Sequence, residues 1–481
     1  MAKEHKRTEE GVTVKKSGNF SEWYIQVLQK AEMMDYTKVS GAIVIRPSAY
    51  FIWEKIQEYI NERIKRLGVK NAYFPLLIPE SLLKKEEKHI AGFNPEVAWV
   101  THAGNTKLSE RLAIRPTSET IMYDSYKKWI RSYRDLPLKI NQWNNVVRWE
   151  FKHPVPFLRT REFLWQEGHS AFATGSEAKK EVSHILDIYA SVFEDLLAVP
   201  VLKGRKSEKE KFAGAEYTLS VEAFLPNEKA AQGATSHNLG QNFSKAFDII
   251  FLDEKGQKKH VWQTSWGLST RSIGIMTATH GDDRGLVLPP KVAPIQAVVV
   301  PIIFEKNKKE ILKKASEIKN KLKGFRVDVD DRDYSPGWKF HEWELKGVPI
   351  RLELGPKDLK KKQVVLVRRD TGKKEIVKIS ALNRKVKSVL EDIQKSLYKK
   401  AKKFLKEHIS QAESIDEAKN LIGKGKIVKA NWCGSESCEE EIKFKTGGAK
   451  TINISERGKP RQGCFNCKKP ANSVAYIAKS Y

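Results

Sequence analysis

Phe157-Leu158-Arg159-Thr160-Arg161-Glu162-Phe163-Leu164-Trp165-Gln166-Glu167-Gly168-His169 alternates along its length. Arg159, Arg161, Phe163, Trp165, Glu167 and His169 fall at every second position, so in an extended chain they share one face. Upstream, residues 138–151 form a second extended run in which Arg148 and Glu150 share a face, and Lys152-His153-Pro154 supplies a polar, proline-containing turn. Two such runs around a turn read as antiparallel strands. Their polar face is unusual: guanidinium groups suit phosphate oxygens, Phe163 can stack on a base, and the Glu150 carboxylate can accept from an exocyclic amine. Together these residues describe a nucleotide laid across an antiparallel sheet. The plain alternative is a solvated sheet face with chance alternation.

The flanking sequence extends this pattern. Residues 48–67 read as a helix capped by Ser48 and stopped by Gly68, with Ile52, Trp53, Ile56, Tyr59, Ile60, Ile64 and Leu67 on one face. Residues 72–79 are extended, and their prolines point to an edge or interface position. Thr174 and Glu177 form a capping box for a helix whose inner face carries Val182, Ile185, Leu186, Tyr189, Val192, Phe193 and Leu196. Residues 245–275 add further extended runs. Near residue 291 the order becomes strand, helix, strand over about a hundred residues, the pattern of a compact α/β domain. Residues 385–407 read as a basic amphipathic helix, and the last 75 residues as a separate Gly- and Cys-rich module. There is no internal repeat and no low-complexity tract.

At 481 residues the chain is long enough for about two to four domains. Lys plus Arg is 87 against 59 Asp plus Glu, a net charge of +28 spread over the whole length. That excess favours a large polyanionic partner lying across several domains, or else a Lys- and Glu-rich solvated surface. A mean hydropathy of −0.52 and the lack of a long apolar run exclude a membrane-spanning helix. The charged N-terminus excludes a secretory leader, so a cytoplasmic location is expected.

No P-loop, dinucleotide-binding glycine motif, H-E-x-x-H or G-x-S-x-G is present, which removes the main support for those enzyme classes. All four cysteines lie after residue 430, as C-x4-C followed 25 residues later by C-x2-C. That spacing reads as a local metal site, not a disulfide framework. Cys433, Cys438, Cys464 and Cys467 would meet at one tetrahedral Zn2+ of structural role, because four thiolates leave no open position.

The chain resembles the class II aminoacyl-tRNA synthetases, and within them the prolyl-tRNA synthetase family of archaeal and eukaryotic type, over almost its entire length. Gly68 to Pro79 resembles the first signature of the class, Arg148-Trp149-Glu150 with Phe157 to Phe163 the second, and Gly267-Leu268-Ser269-Thr270-Arg271-Ser272-Ile273-Gly274 the third. The resemblance implies an α+β catalytic domain over 1–290, an antiparallel sheet with flanking helices. It also implies an α/β anticodon-binding domain over 291–400 and a small α+β zinc-binding C-terminal domain over 401–481. It implies ATP, brought as its Mg2+ complex, with proline and tRNA(Pro) as partners, and a homodimer; membranes and DNA are not expected partners.

Residue roles follow from the same likeness. Arg148 and Arg271 are the expected catalytic groups: Arg148 on the α-phosphate, Arg271 stacking on adenine opposite Phe163. Glu150 would recognise the adenine amine and Arg159 the outer phosphates, with Gln232 and Thr235 nearby. Arg115-Pro116-Thr117-Ser118-Glu119-Thr120 resembles the Thr-x-Glu loop of the subgroup, so Thr117 and Glu119 would hold the substrate's secondary ammonium. Phe163, Trp165, Glu167, His169, His237 and Ser269 would complete the amino-acid pocket. The two histidines are expected to be hydrogen-bonding groups, since a substrate carboxylate is already a nucleophile. Glu344, Arg351 and Lys373 are the candidates for reading the two guanines of a proline anticodon. No long insert separates the second and third signatures, so an internal editing domain is not expected, and misactivation of alanine and cysteine is. The alternative is a catalytically inactive, synthetase-like RNA-binding paralogue; it should lack Arg148, Glu150, Arg271 or the Thr117/Glu119 pair, and none is missing.

Overall fold

The computed structural model describes residues 11–89, 96–149, 153–455, 460 and 463–481. Its centre is a sheet whose strands are β1 (Lys70–Asn71), β2 (Leu138–Val147), β3 (Glu162–Phe172), β4 (Leu202–Arg205), β5 (Tyr217–Phe224), β6 (Ala230–Gly240) and β7 (Trp262–Ser269). They run in the order β4-β5-β6-β7-β3-β2-β1, antiparallel except for the short β1–β2 pair. Residues 162–169 of the alternating stretch form β3, in the middle of the sheet. Phe157 (φ 59°) to Arg161 precede it in a tight turn closed by the Val155–Arg159 pair, so Arg159 and Arg161 do not extend the strand face.

One face of this sheet is closed by helices. Helix α1 (Pro47–Arg66) presents Ile52, Trp53, Ile56, Ile60 and Ile64, and helix α2 (Gly175–Ser191) presents Val182, Ile185, Leu186 and Tyr189, all buried in one apolar core. The capping box forms as expected: Thr174 Oγ1 meets the Glu177 amide while the Glu177 carboxylate accepts from the Thr174 amide. Two details differ. Ser48 does not cap α1: Arg46 holds the cap position and Pro47 occupies the first turn, where its missing N–H leaves nothing unsatisfied. Val192, Phe193 and Leu196 are buried, but in a wider π turn that follows α2.

Leu77–Pro79 is the edge of a separate three-stranded sheet with Thr106–Ile114 and Trp99–Ala103. Further on, Val327–Val329, Ala297–Pro301, Ile350–Leu354, Gln363–Arg368 and Lys374–Lys378 form a five-stranded mixed sheet, parallel over its first three strands. A 27-residue helix, Leu382–His408, covers it and continues without a break across residue 400.

The C-terminal module shares the central sheet. Its strands β8 (Ile409–Gln411), β9 (Ile427–Trp432), β10 (Lys450–Ile454) and β11 (Ser473–Ala478) join the central sheet where β10 meets β4, giving eleven strands. The chain end is drawn in as well: the Ala230 amide donates to the Lys479 carbonyl at 2.7 Å, and Asn227 Nδ2 donates to the Tyr481 hydroxyl at 2.7 Å. Paired backbone holds these last residues against the catalytic half. Among the described residues no helix is long and apolar enough to cross a membrane.

Candidate active site

Helices cover one face of the central sheet, and the other face carries a cavity of about 350 Å3. Register sets its floor. Trp165, Glu167 and His169 of β3 stand opposite Ser269, Gly267 and Ser265 of β7, and opposite Asn144, Gln142 and Ile140 of β2. Directly opposed residues share a face, so these rows converge. His237 and Thr235 of β6 continue the rows from Ser265 and Gly267. Gly267 keeps the floor low, since a Cβ there would press within 3.3 Å of the Trp165 ring and the Gln166 carbonyl.

The cavity has a cationic end. The Arg148 guanidinium lies 5.5 Å from the Phe163 ring centroid and 5.3 Å from that of Trp165, and its Nε donates to the Pro116 carbonyl at 3.1 Å. Arg271, first residue of helix α3 (Arg271–His280), donates to the Leu158 carbonyl at 2.8 Å and the Gln232 carbonyl at 3.2 Å. Burial, with Arg148 and then Arg159 nearby, pulls its pKa down to about 10, so it stays charged at neutral pH. Like charges held this close describe a place for an anion.

The opposite end is anionic. Glu119 opens the helix Glu119–Trp129 and accepts from the Thr117 hydroxyl. Glu167 is saturated: Ser118 Oγ at 2.5 Å, Asn144 at 2.7 Å, Gln142 at 3.1 Å, the Ser118 amide at 3.2 Å and His169 Nε2 at 3.1 Å surround its two oxygens. Burial opposes its charge, but these hydrogen bonds, His169 foremost, hold its pKa below the usual carboxylate value. Burial raises Glu119, with His169 opposing and Glu167 adding to the shift. A carboxylate has about four lone-pair sites, so Glu119 retains acceptors for an incoming cation and Glu167 does not.

Both histidines are engaged. His169 Nδ1 meets the Tyr123 hydroxyl at 3.0 Å, and although burial opposes it, Glu167 and Glu119 raise its pKa. His237 Nδ1 meets Thr218 Oγ1 at 2.8 Å under the Phe212 ring, and burial, His169 and Arg148 push it down to about 3, so it is neutral.

The cavity thus gathers Thr117, Glu119, Arg148, Phe163, Trp165, Glu167, His169, Gln232, Thr235, His237, Ser269 and Arg271. Arg159 is exposed and does not line it, and Glu150 lies outside the described residues. Ser118, Gln142 and Asn144 fix Glu167 and were not anticipated; the alternation of Gln142 and Asn144 with Arg148 on one strand face was the available signal. Phe212 and Thr218 also line the cavity, and no motif marks them.

Elsewhere, Glu344 and Arg351 line one small recess with Trp343, Val348, Val367, Arg368 and Arg369, while Lys373 sits exposed in the adjacent hairpin turn. The four cysteine sulfurs all lie within 4.8 Å of one another.

The chain matches the description "tRNA synthetase class II core domain (G, H, P, S and T)" over residues 100–280 and "Anticodon binding domain" over 296–389. It matches "Prolyl-tRNA synthetase, C-terminal" over 415–481. A proline–tRNA ligase of Alkaliphilus oremlandii is 51% identical over 484 residues, covering 100% of both chains. The chain belongs to the prolyl-tRNA synthetase family. A prolyl-tRNA synthetase from Cryptosporidium parvum, solved in complex with halofuginone and AMPPNP, superposes with a TM-score of 0.94 at 50% identity, covering 98% of this chain and 100% of that one. A bifunctional glutamate/proline–tRNA ligase of Mus musculus is 51% identical over 98% of this chain. This synthetase spans about a third (32%) of that protein's length.

Proposed function

We propose that this synthetase activates L-proline with ATP to prolyl-adenylate and diphosphate, then transfers the prolyl group to the 3′-terminal adenosine of tRNA(Pro), releasing AMP. The observation that carries this reading is the polarity of one small cavity: guanidinium groups of Arg148 and Arg271 at one end, the Glu119 carboxylate with open acceptors at the other. A bound amino acid is a zwitterion, and only one orientation satisfies both ends. Its ammonium goes to Glu119 and Thr117, and its carboxylate goes to Arg148.

In that pose the carboxylate attacks the α-phosphorus, one P–O bond forms, and the bond to diphosphate breaks. No proton need move, which suits a site whose histidines are already committed to Tyr123, Glu167 and Thr218. Negative charge grows at phosphorus in the transition state, where Arg148 and Arg271 act more strongly than in the ground state. Phe163 and Arg271 would sandwich adenine, with Gln232 and Thr235 at its edge, Glu150 on its amine and Arg159 on the outer phosphates. Magnesium would travel on those phosphates as part of the substrate. Trp165, His237 and Ser269 would wall a ring-sized space, and Glu167 would hold His169 rather than touch substrate. Proline's ring is distinguished from alanine by few methylenes at ~1–3 kcal/mol each, so alanine and cysteine are expected as misactivated substrates.

Glu344, Arg351 and Lys373 are proposed to read the anticodon guanines. Cys433, Cys438, Cys464 and Cys467 are proposed to hold a structural Zn2+. The Cys438–Cys464 and Cys433–Cys467 sulfur separations of 3.7 Å support this, because ligands ~2.3 Å from one tetrahedral ion lie ~3.8 Å apart. Four free cysteines fit the reducing cytoplasm proposed as its location. A homodimer is proposed from the family, with Tyr73 and Leu77, exposed to 70% and 38% at the edge strand Leu77–Pro79, as apolar surface it would cover.

The test is ATP–pyrophosphate exchange against all twenty amino acids, followed by charging of tRNA(Pro). Proline should give the highest kcat/KM. A larger value for another amino acid, or charging without exchange, would overturn the pocket assignment. An absence of both activities would favour the silent RNA-binding alternative.

A further inference from the structure

The Glu344 carboxylate, which lines the small recess, is held by a residue from outside the anticodon-binding fold. Glu344 sits at the end of the helix Pro336–Leu345, where a carboxylate would ordinarily sample several rotamers. Here Arg284 Nη1 donates to Glu344 Oε1 at 2.6 Å. Arg284 belongs to a tight turn, Asp282 to Gly285, directly after the helix that begins with Arg271.

That turn is anchored on both sides. The Arg284 amide donates to Asp282 Oδ1 at 2.9 Å, and Trp23 Nε1 of the catalytic core donates to the Asp282 carbonyl at 2.9 Å. Buried Arg369, from the anticodon-binding fold, grips the Asp282 carboxylate through two bonds of 2.8 and 2.6 Å. The same guanidinium donates Nε to the Glu344 carbonyl at 2.7 Å. The chain leaving the turn is bonded to the residues after Glu344: the Leu286 amide to the Leu345 carbonyl at 2.9 Å, the Leu288 amide to the Gly347 carbonyl at 3.2 Å. Backbone and carboxylate of Glu344 are therefore both located by the segment 282–288.

We propose that Arg284 is a positioning residue for anticodon selection, holding one oxygen of Glu344 so that its remaining lone pairs face the N1–H and N2–H donors of guanine. The proposal rests on the reading of Glu344 as a guanine acceptor. Arg284 does not block that role, because a carboxylate accommodates one guanidinium bond and two base donors within its four sites. Fixing the acceptor before the base arrives removes rotamer freedom that binding would otherwise have to remove, and a misplaced acceptor leaves adenine and guanine less distinct.

The experiment uses the full chain and transcripts of tRNA(Pro) carrying guanine or adenine at each of the two anticodon positions. For Arg284→Ala the guanine-over-adenine ratio of kcat/KM in charging should fall about tenfold at one position, through KM. Proline-dependent pyrophosphate exchange, which needs no tRNA, should stay within twofold. Arg284→Lys should recover part of the ratio, and Arg284→Ala added to Glu344→Gln should cost little more than Glu344→Gln alone. An unchanged ratio in Arg284→Ala, with the ratio lost in Glu344→Gln, overturns the role of Arg284 and leaves the reading of Glu344 intact. An unchanged ratio in Glu344→Gln overturns that reading and this proposal with it. A fall in pyrophosphate exchange equal to the fall in charging would make Arg284 a general structural residue and likewise overturn the proposal.

Discussion

Arg148 leans over two aromatic rings at the cationic end of the cavity, and it is the residue whose charge the proposed reaction would use most directly. Arg148→Ala should lower kcat for pyrophosphate exchange by about 10^2–10^3, the usual loss on removing one preorganised donor to a developing anion. A loss confined to KM would show that it merely binds substrate. Glu119 supplies a pH test. Its pKa is raised, by burial first, so as pH falls it loses its negative charge earlier than an ordinary glutamate. The substrate's ammonium keeps its charge throughout that range, so KM for proline should rise on the acid side, starting above the usual carboxylate range. The pH profile of kcat/KM checks this, and Glu119→Gln should remove that limb while weakening proline at all pH values. Retention of the same limb in the variant would assign it elsewhere. At this scale the sequence was legible where chemistry is local: alternating Trp165, Glu167 and His169 had to share a strand face. The exhaustion of the Glu167 acceptors was not legible, because Ser118, Gln142 and Asn144 arrive from two other segments.

At the scale of elements, β3 works because its two faces differ. Glu167 looks into the cavity, while Gly168 turns to the helix-covered face opposite Trp266. A Cβ on Gly168 would fall on the buried Trp266 ring, which packs near Tyr189 of α2. Gly168→Ala should therefore destabilise the catalytic core by about 3 kcal/mol, the upper range for overpacking, and should lower its thermal midpoint. Thermal unfolding followed by tryptophan fluorescence would measure it; an unchanged midpoint would mean that the ring has room to move. Alternation predicts a strand such as β3 well, and capping predicts the start of α2. The cap of α1 departs from the sequence expectation because Ser48 and Pro47 both signal a helix start, and the proline takes precedence: it is confined to the first turn.

For the whole molecule, the decisive feature is the continuous sheet that ties the last residues to the catalytic half. The Cys cluster belongs to the same apolar core as Val428, Trp432 and Ile477, which lie on strands of that sheet. Removing the proposed zinc with a chelator, or Cys464→Ser, should lower the thermal midpoint of the C-terminal unit by several degrees, since structural zinc sites contribute folding energy directly. Metal analysis of the purified chain should give about one zinc per chain. The joining of β10 to β4 could not be read from sequence, because strand pairing between segments about 250 residues apart leaves no local pattern. The most direct test of the bipolar cavity is a crystal structure with a non-hydrolysable prolyl-adenylate analogue. The expected result places the ring nitrogen at Glu119 and Thr117, the phosphate at Arg148, and adenine between Phe163 and Arg271. An analogue bound in the reverse sense, with its ring nitrogen at the arginines or its adenine away from Phe163, would contradict it.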